Sequence, residues 1–150
     1  LPPGVPFHRL KSPDENRPYK GKTNHAFPQD HGYQWQGYSL DSKRRPTFRY
    51  KYGDIAVEDF FEDLSDQKGR TYFKRTLRLT APAAQPLFHF RAAAGESVKK
   101  ISNAEFRLEK LMLRLTNSRE AILREGSTAE VLLPLTLPQG TTTLVLEYRW

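Results

Sequence analysis

The chain has 150 residues, a formal net charge of +7 and no cysteine. This length fits one domain, and a domain of this size buries roughly 70% of the surface of its unfolded chain. The lack of cysteine excludes a disulfide framework, a thiolate zinc site, an iron–sulfur cluster and a covalently attached haem within these residues. No apolar run approaches the roughly 20 residues of a membrane helix, so we expect no membrane insertion.

The first 30 residues contain six prolines and show no hydrophobic period. Proline fixes φ and removes a backbone donor, which disfavours regular helix or central strand. We therefore predict that residues 1–30 form an extended arm or linker that packs on a domain comprising residues 31–150. Because the chain starts without methionine and without the charged and apolar regions of a signal peptide, we expect it to be a mature or excised part of a longer protein.

Short segments of alternating hydrophobicity fill the rest of the chain. In one of them, Phe73, Arg75, Leu77 and Leu79 share a face, with polar residues between them. The predicted strands are Tyr33–Leu40, Thr47–Tyr52, Ile55–Phe61, Tyr72–Thr80, Leu87–Ala92, Val98–Ile101, Glu105–Leu108, Leu111–Leu115, Ala121–Arg124, Val131–Leu137 and Thr142–Trp150. About ten one-sided strands at this spacing predict an all-β fold, an antiparallel two-sheet β-sandwich.

Two segments leave room for a different interpretation. Residues 103–115 also fit the 3.6-residue period of a helix, but Leu111, Leu113 and Leu115 alternate strictly, which favours strands. At the end of the chain, the breaker-rich residues 138–141 separate the last two predicted strands, so we expect a terminal hairpin.

The positive charge is concentrated in the first third of the chain. Residues 1–50 carry nine basic and four acidic residues, net +5, whereas residues 51–150 carry fifteen and thirteen, net +2. A two-residue turn at Gly53-Asp54 would pair Arg49 with Glu58, so that the basic residues of 43–51 face the acidic residues of 54–66. We expect this basic run to be neutralised within the protein, and we predict no nucleic-acid partner.

The histidines do not form a recognisable metal motif. None of His8, His25, His31 and His89 is separated from another by the two or four residues of a compact site. A site made of His25, Asp30 and His31 is an open alternative to a solvated loop. His89 shares a predicted strand face with Leu87 and Arg91, and we interpret it as a locally hydrogen-bonded histidine of the sheet.

Catalytic patterns are scarce as well. The carboxylates of Glu58, Asp59, Glu62 and Asp63 are clustered on one strand beside basic residues, which favours a structural role over the separated pair of a glycosidase. The sequence contains no nucleophile elbow, P-loop or dinucleotide-binding fingerprint. We predict a domain without enzyme activity, without a resident metal and without a cofactor.

An aromatic segment offers the best prospect for binding. Tyr33 and Trp35 point to one side of a strand. Gly37 can introduce a bulge that changes the face of the strand on which Tyr38 lies. Flat rings beside amide groups suit sugar rings, so Tyr33, Trp35 and Tyr38 are candidates for a glycan-binding aromatic platform. We favour the other interpretation, in which Trp35 and Tyr38 are core residues or pack the arm, because large aromatic side chains are usually mostly buried.

Several strand and turn signatures resemble one known kind of domain. They are Trp35–Asp41, Arg45–Tyr50, Val57–Asp59, Lys74–Leu77 and Phe90–Gly95. They resemble an uncharacterised β-domain of large exported bacterial multidomain proteins that also carry a c-type cytochrome module, and often sugar-dehydrogenase-like or glycan-associated modules. The resemblance spans residues 33–95, with a weaker match near the end of the chain, and transfers no catalytic residue.

The resemblance implies a setting for the domain rather than a reaction. It implies a periplasmic or secreted protein in which a separate haem-binding segment, absent here, holds the haem. Our leading hypothesis is a non-catalytic accessory or structural domain that packs beside redox or sugar-processing modules of the same polypeptide. The alternative hypothesis is a carbohydrate-binding module that binds polysaccharide through the aromatic platform.

Overall fold

The computed structural model describes residues 6–12, 15, 32–116, 120–126 and 128–150. Within these ranges the protein is all-β, with no helix. The strands are β1 (Phe7–His8), β2 (Tyr33–Leu40), β3 (Pro46–Tyr52), β4 (Ile55–Ser65), β5 (Thr71–Ala81), β6 (Gln85–Gly95), β7 (Lys99–Lys100), β8 (Glu105–Leu108), β9 (Leu111–Leu115), β10 (Ile122–Arg124), β11 (Ala129–Leu137) and β12 (Gly140–Arg149).

The strands form two antiparallel sheets of unequal size. The small sheet has the order β1-β6-β11-β10, and the large sheet has the order β2-β3-β4-β5-β12-β9-β8-β7. The core lies between them, where Val57, Leu77 and Leu79 of the large sheet are fully buried together with Phe88 and Phe90 of the small sheet. The predicted two-sheet β-sandwich is therefore confirmed.

The hydrophobic alternation located most strands well. β2, β8 and β9 have the predicted bounds, while β4 and β6 continue beyond them to Ser65 and Gly95. Strands rather than a helix occupy most of residues 103–115, joined by a tight turn in which Glu109 adopts a φ of 49°. The strict alternation of leucines outweighed the weaker helical period in this segment.

The predicted terminal hairpin is wrong. β11 belongs to the small sheet, where it pairs with β6 and β10, whereas β12 belongs to the large sheet, where it pairs with β5 and β9. The breakers at 138–140, with Gly140 at a φ of 106°, carry the chain from one layer to the other. Alternation shows which face of a strand is buried but not which sheet contains the strand, so the sequence pattern fits both connections.

Part of the predicted arm is integral to the sandwich. Phe7 and His8 pair with Phe90 and His89 at the edge of the small sheet, and Phe7 is 1% exposed. The Tyr33 hydroxyl donates to the carbonyl of Phe7 over 3.1 Å and accepts from its N–H over 2.6 Å. Most of the remaining residues of 1–30 lie outside the described ranges.

Two turns of the large sheet share one sequence pattern, Asp-x-Lys-x-Arg. In the β2–β3 turn, Asp41 accepts hydrogen bonds from the backbone N–H groups of Lys43 and Arg45, and Asp66 does the same for Lys68 and Arg70 in the β4–β5 turn. These backbone hydrogen bonds are the main cause of the lowered pKa of both aspartates. The carboxylates thus fix the shape of both turns.

The fourth position of this pattern requires a left-handed backbone. Gly69 occupies it with a φ of 74°, whereas Arg44 occupies the equivalent position with a φ of 62°. We expect Gly69→Ala to lower the free energy of unfolding by about 1 kcal/mol, because a Cβ is disfavoured in this region. Arg44→Gly should be neutral or slightly stabilising. Urea unfolding measures both, and an equal loss in the two variants would contradict this account of the turns.

The charged hairpin has the predicted register. Tyr52 pairs with Ile55 and Arg49 with Glu58, and the Arg49 Nε lies 3.1 Å from a Glu58 carboxylate oxygen. Glu58 also faces Arg78 on β5, at 3.8 Å. Arg49 thus has an acidic partner within the large sheet, as does Arg45 of the preceding turn, which lies 3.0 Å from Glu62.

We expect reversal of either charge, Arg49→Glu or Glu58→Arg, to destabilise the protein by less than about 1 kcal/mol, because both side chains are partly exposed. The double reversal should recover most of the lost unfolding free energy. The recovery should be incomplete, because Arg78 then faces an arginine at position 58 instead of Glu58. A double-mutant cycle in urea tests this expectation. Strictly additive losses would contradict a direct Arg49–Glu58 interaction.

Candidate functional site

The inner face of the large sheet is exposed at one end, near the β2–β3 and β4–β5 turns. Trp35 is 64% exposed and Tyr38 is 62% exposed, although their cross-strand partners belong to the face that carries the core. Leu40, Phe73 and Trp150 are exposed as well. Such a group of large apolar side chains on one face indicates an interaction surface.

A bulge brings Trp35 and Tyr38 to the same face. The register between β2 and β3 shifts between Trp35 and Gly37, so that Trp35 pairs with Tyr50 and Tyr38 pairs with Phe48. Gly37 adopts a φ of 99°, a conformation that glycine accepts readily. The predicted bulge and the change of face at Tyr38 are confirmed.

Four rings form a continuous surface, which we call the aromatic face: Trp35, Tyr38, Phe48 and Phe61. The Phe48 ring is central, with centroid distances of 6.1 Å to Trp35, 6.4 Å to Tyr38 and 6.1 Å to Phe61. The row therefore crosses β2, β3 and β4. A separate pair, Phe73 and Trp150, lies at 5.2 Å on β5 and the end of β12.

Tyr33 does not belong to the aromatic face, contrary to the predicted platform. It is 7% exposed, its ring lies 5.0 Å from that of Tyr52, and its hydroxyl binds the backbone of Phe7. It lies at the opposite end of β2, where the small sheet covers the large one. Tyr33 is thus a core residue that packs the arm, whereas Trp35 and Tyr38 are surface residues. The favoured interpretation of Trp35 and Tyr38 as core residues is therefore wrong, because the small sheet does not cover their end of β2.

A buried ion pair lies beside the aromatic face. Arg75 donates two hydrogen bonds to the carboxylate of Asp59, at 2.8 and 2.6 Å, and the exposed fractions of both side chains are below one tenth. The guanidinium carbon lies 5.0 Å from the centroid of Phe61 and 5.3 Å from that of Phe90. Arg75 therefore links the buried pair to a ring of the aromatic face.

The electrostatics of this pair suit a structural role. Burial by itself lowers the pKa of Arg75, but the hydrogen bonds and the charge of Asp59 more than compensate, and the pKa is raised. Burial also raises the pKa of Tyr50 and of Tyr148, whose hydroxyl donates to the carbonyl of Ala92. Both phenols therefore stay neutral near pH 7, and the charges of this buried cluster are those of Asp59 and Arg75.

Sequence reasoning missed Phe61 and the Asp59–Arg75 pair. The sequence does contain a signal for the pair. Asp59 and the buried Val57 occupy alternate positions and so share a strand face, and Arg75 shares a strand face with the buried Leu77 and Leu79. A charged residue on the apolar face of each of two neighbouring strands predicts a buried pair.

The histidines present no assembled site. His89 is 1% exposed, and among the described residues its Nδ1 has no hydrogen-bond partner, so the predicted local hydrogen bond is not formed at that atom. Burial and the nearby charge of Arg124 lower the pKa of His89. The alternative site of His25, Asp30 and His31 lies outside the described residues. Within the described ranges, no three His, Asp or Glu side chains are grouped to hold a metal ion.

A cleft of about 330 Å³ lies near the Phe73–Trp150 pair. Its lining includes Arg114, Arg149 and Glu105. Arg149 is 2.9 Å from Glu147, and Arg114 is 3.9 Å from both Glu105 and Glu147. Because each guanidinium faces a carboxylate, the cleft offers no concentrated charge to an ionic ligand.

The chain matches no family model, no curated protein and no solved structure. Among the residues that the structure describes, no helix could span a membrane.

Proposed function

We propose that this is a non-catalytic accessory domain of an extracytoplasmic multidomain protein, and that its aromatic face packs against a neighbouring domain of the same polypeptide. The observation that carries the proposal is the exposure of Trp35 and Tyr38 on the face that elsewhere forms the core. The extracytoplasmic setting, beside cytochrome or sugar-processing modules, comes from the sequence resemblance and is part of the proposal.

The polar groups around the aromatic face favour a protein surface as its partner. Asp59 and Arg75 are buried and bind each other, so they offer little to the hydroxyl groups of a sugar. Among the described residues, Asp63 is an exposed polar residue of the same face, beside the polar edges of Trp35 and Tyr38. An apolar protein surface needs no further hydrogen bonds, and aromatic rings are typical of interface cores.

The tryptophans give a direct test. The chain contains two, Trp35 and Trp150, and both are exposed on this side of the large sheet. We would incorporate 5-fluorotryptophan into this chain and into a longer polypeptide with its neighbouring domains, and assign the ¹⁹F signal of Trp35 with Trp35→Phe. The expected result is a Trp35 signal that is solvent-accessible in the short chain and protected in the long one. An unchanged signal would refute the packing.

Carbohydrate binding is the second candidate, favoured by the bulge that aligns Trp35 with Tyr38. Affinity electrophoresis in gels with soluble polysaccharides would retard the parent chain if it binds. Trp35→Ala would then abolish retardation, whereas Phe73→Ala, a matched truncation outside the aromatic face, would leave it intact. Retardation that survives Trp35→Ala would exclude the aromatic face as the glycan site.

We expect Trp35→Ala to lower the free energy of unfolding by less than about 1 kcal/mol in dilute solution, because exposed residues away from special features contribute little. Tyr33→Ala on the same strand is the matched control. It removes a buried ring, so its loss should approach the roughly 3–5 kcal/mol of a large aromatic truncation. Similar losses in the two urea experiments would contradict the different burial of these side chains.

A further inference from the structure

Among the described residues, no strand covers the outer edge of β2. β2 is the last strand of the large sheet, and none of the described strands pairs with its free side. Its eight residues, Tyr33–Leu40, include no charged residue and no proline. Natural sheets usually protect a long edge with such residues, because an open edge pairs readily with another strand. An edge without charged residues or proline, flanked by exposed Trp35 and Tyr38, is suited to strand addition.

The side chains of β2 have a two-fold pattern. Tyr33 and Leu40 occupy the ends of the inner face, Trp35 and Tyr38 lie inside them, and the bulge is at the centre. Gln34 and Ser39 lie on the outer face, opposite Lys51 and Thr47 of β3. In either direction the order is a large side chain, a polar residue, an aromatic ring, the bulge, an aromatic ring, a polar residue and a large side chain. It exists only because the bulge places Trp35 and Tyr38 on one face.

We propose that the partner of this edge is a second copy of the chain, which pairs antiparallel with β2 about a two-fold axis between Gln36 and Gly37. Trp35 then lies opposite Tyr38 of the second copy, and Gln34 lies opposite its Ser39. Every pair joins side chains of the same face, as an antiparallel ladder requires. The contact is isologous and closes as a dimer.

The charges of the protein permit this contact. The whole chain carries +7, but β2 contributes nothing to it, so no like charges meet at the new ladder. Beside β2, Arg49 of β3 and Arg45 of the β2–β3 turn are held by Glu58 and Glu62, and Lys51 of β3 lies opposite Gln34, one strand away from the new ladder. The dimer joins the two aromatic faces into one continuous surface, which leaves them open to another partner. The inference therefore does not depend on the proposed function.

Sedimentation equilibrium over a wide range of protein concentrations tests the dimer. We expect reversible association of the parent chain, and monomers for Trp35→Lys and for Tyr38→Glu, because each variant replaces one ring of both central Trp35–Tyr38 contacts by a hydrated charged side chain. A mixture of these two variants should dimerise again. One of its two central contacts becomes a Lys–Glu pair, and the other keeps the native Tyr38 and Trp35.

Controls separate this result from misfolding. Phe73→Lys adds the same charge to the same sheet face away from β2, and it should leave dimerisation unchanged. Near-parental melting temperatures of the charge variants show that they are folded. A parent chain that stays monomeric at all concentrations would overturn the inference, as would dimers of Trp35→Lys alone. Protection of β2 amides against hydrogen exchange only in the presence of a neighbouring domain would assign the edge to that domain instead.

Discussion

Asp59→Asn is expected to lower the free energy of unfolding by about 3–5 kcal/mol, because it leaves the guanidinium of Arg75 buried without a counter-charge. Both side chains lie inside the sandwich, and both carboxylate oxygens accept hydrogen bonds from Arg75. The amide keeps the size of the carboxylate but offers one acceptor instead of two. Urea unfolding at neutral pH measures the loss.

The double variant Asp59→Leu with Arg75→Met distinguishes an unpaired charge from a loss of packing. If the cost of Asp59→Asn comes from the unpaired guanidinium, removal of both charges should restore much of the stability. Glu58→Gln is the matched control, because Glu58 precedes Asp59 on the same strand and its carboxylate is partly exposed. We expect this variant to lower the free energy of unfolding by less than about 1 kcal/mol. A small effect of Asp59→Asn would show that water reaches Arg75.

The same pair has a consequence for the aromatic face. The guanidinium of Arg75 packs against Phe61, which in turn contacts Phe48 at the centre of the row. Loss of the pair therefore removes a support beneath the exposed rings. The core thus contributes to the arrangement of the exposed rings.

Local chemistry was predictable from the sequence. The Gly53-Asp54 turn sets the register of β3 on β4, so Arg49 was placed opposite Glu58 correctly. The bulge at Gly37 was predictable because a glycine inside a strand often marks a bulge, and a bulge changes the face on which the next ring, Tyr38, lies. In both cases neighbouring residues contain the determining information.

Long-range relations were not predictable in the same way. Alternation shows that β11 and β12 each bury a face, but their membership of different sheets depends on β6 and β5, which lie far away in the chain. The exposure of Trp35 depends on where the small sheet ends. The alternation of residues in β2 does not show where the small sheet ends. Tyr33 and Trp35 therefore have the same position in the sequence pattern, although Tyr33 is buried and Trp35 is exposed.

Phe7→Ala is expected to cost about 3–5 kcal/mol, although Phe7 lies in the proline-rich segment that appeared to be a linker. Its ring is 1% exposed and lies 5.6 Å from the centroid of Tyr52 and 5.2 Å from that of Phe90. It thus fills core space between the two sheets. Urea unfolding measures the loss, and a value below about 1 kcal/mol would contradict a core role for β1.

Hydrogen exchange then shows how the loss arises. The N–H of Arg91 donates to the carbonyl of Pro6 over 2.7 Å. If Phe7→Ala leaves a cavity under an attached strand, this amide remains protected, but if β1 detaches, it exchanges faster than the other amides of β6. Tyr33→Phe is the matched control, because it keeps the ring and removes only the hydroxyl that binds Phe7, at a cost of about 1 kcal/mol. Because β1 pairs with β6 through two residues only, we expect β1 to detach. The largest possible loss of unfolding free energy is then that of a protein in which β1 is fully detached and the edge of β6 is exposed.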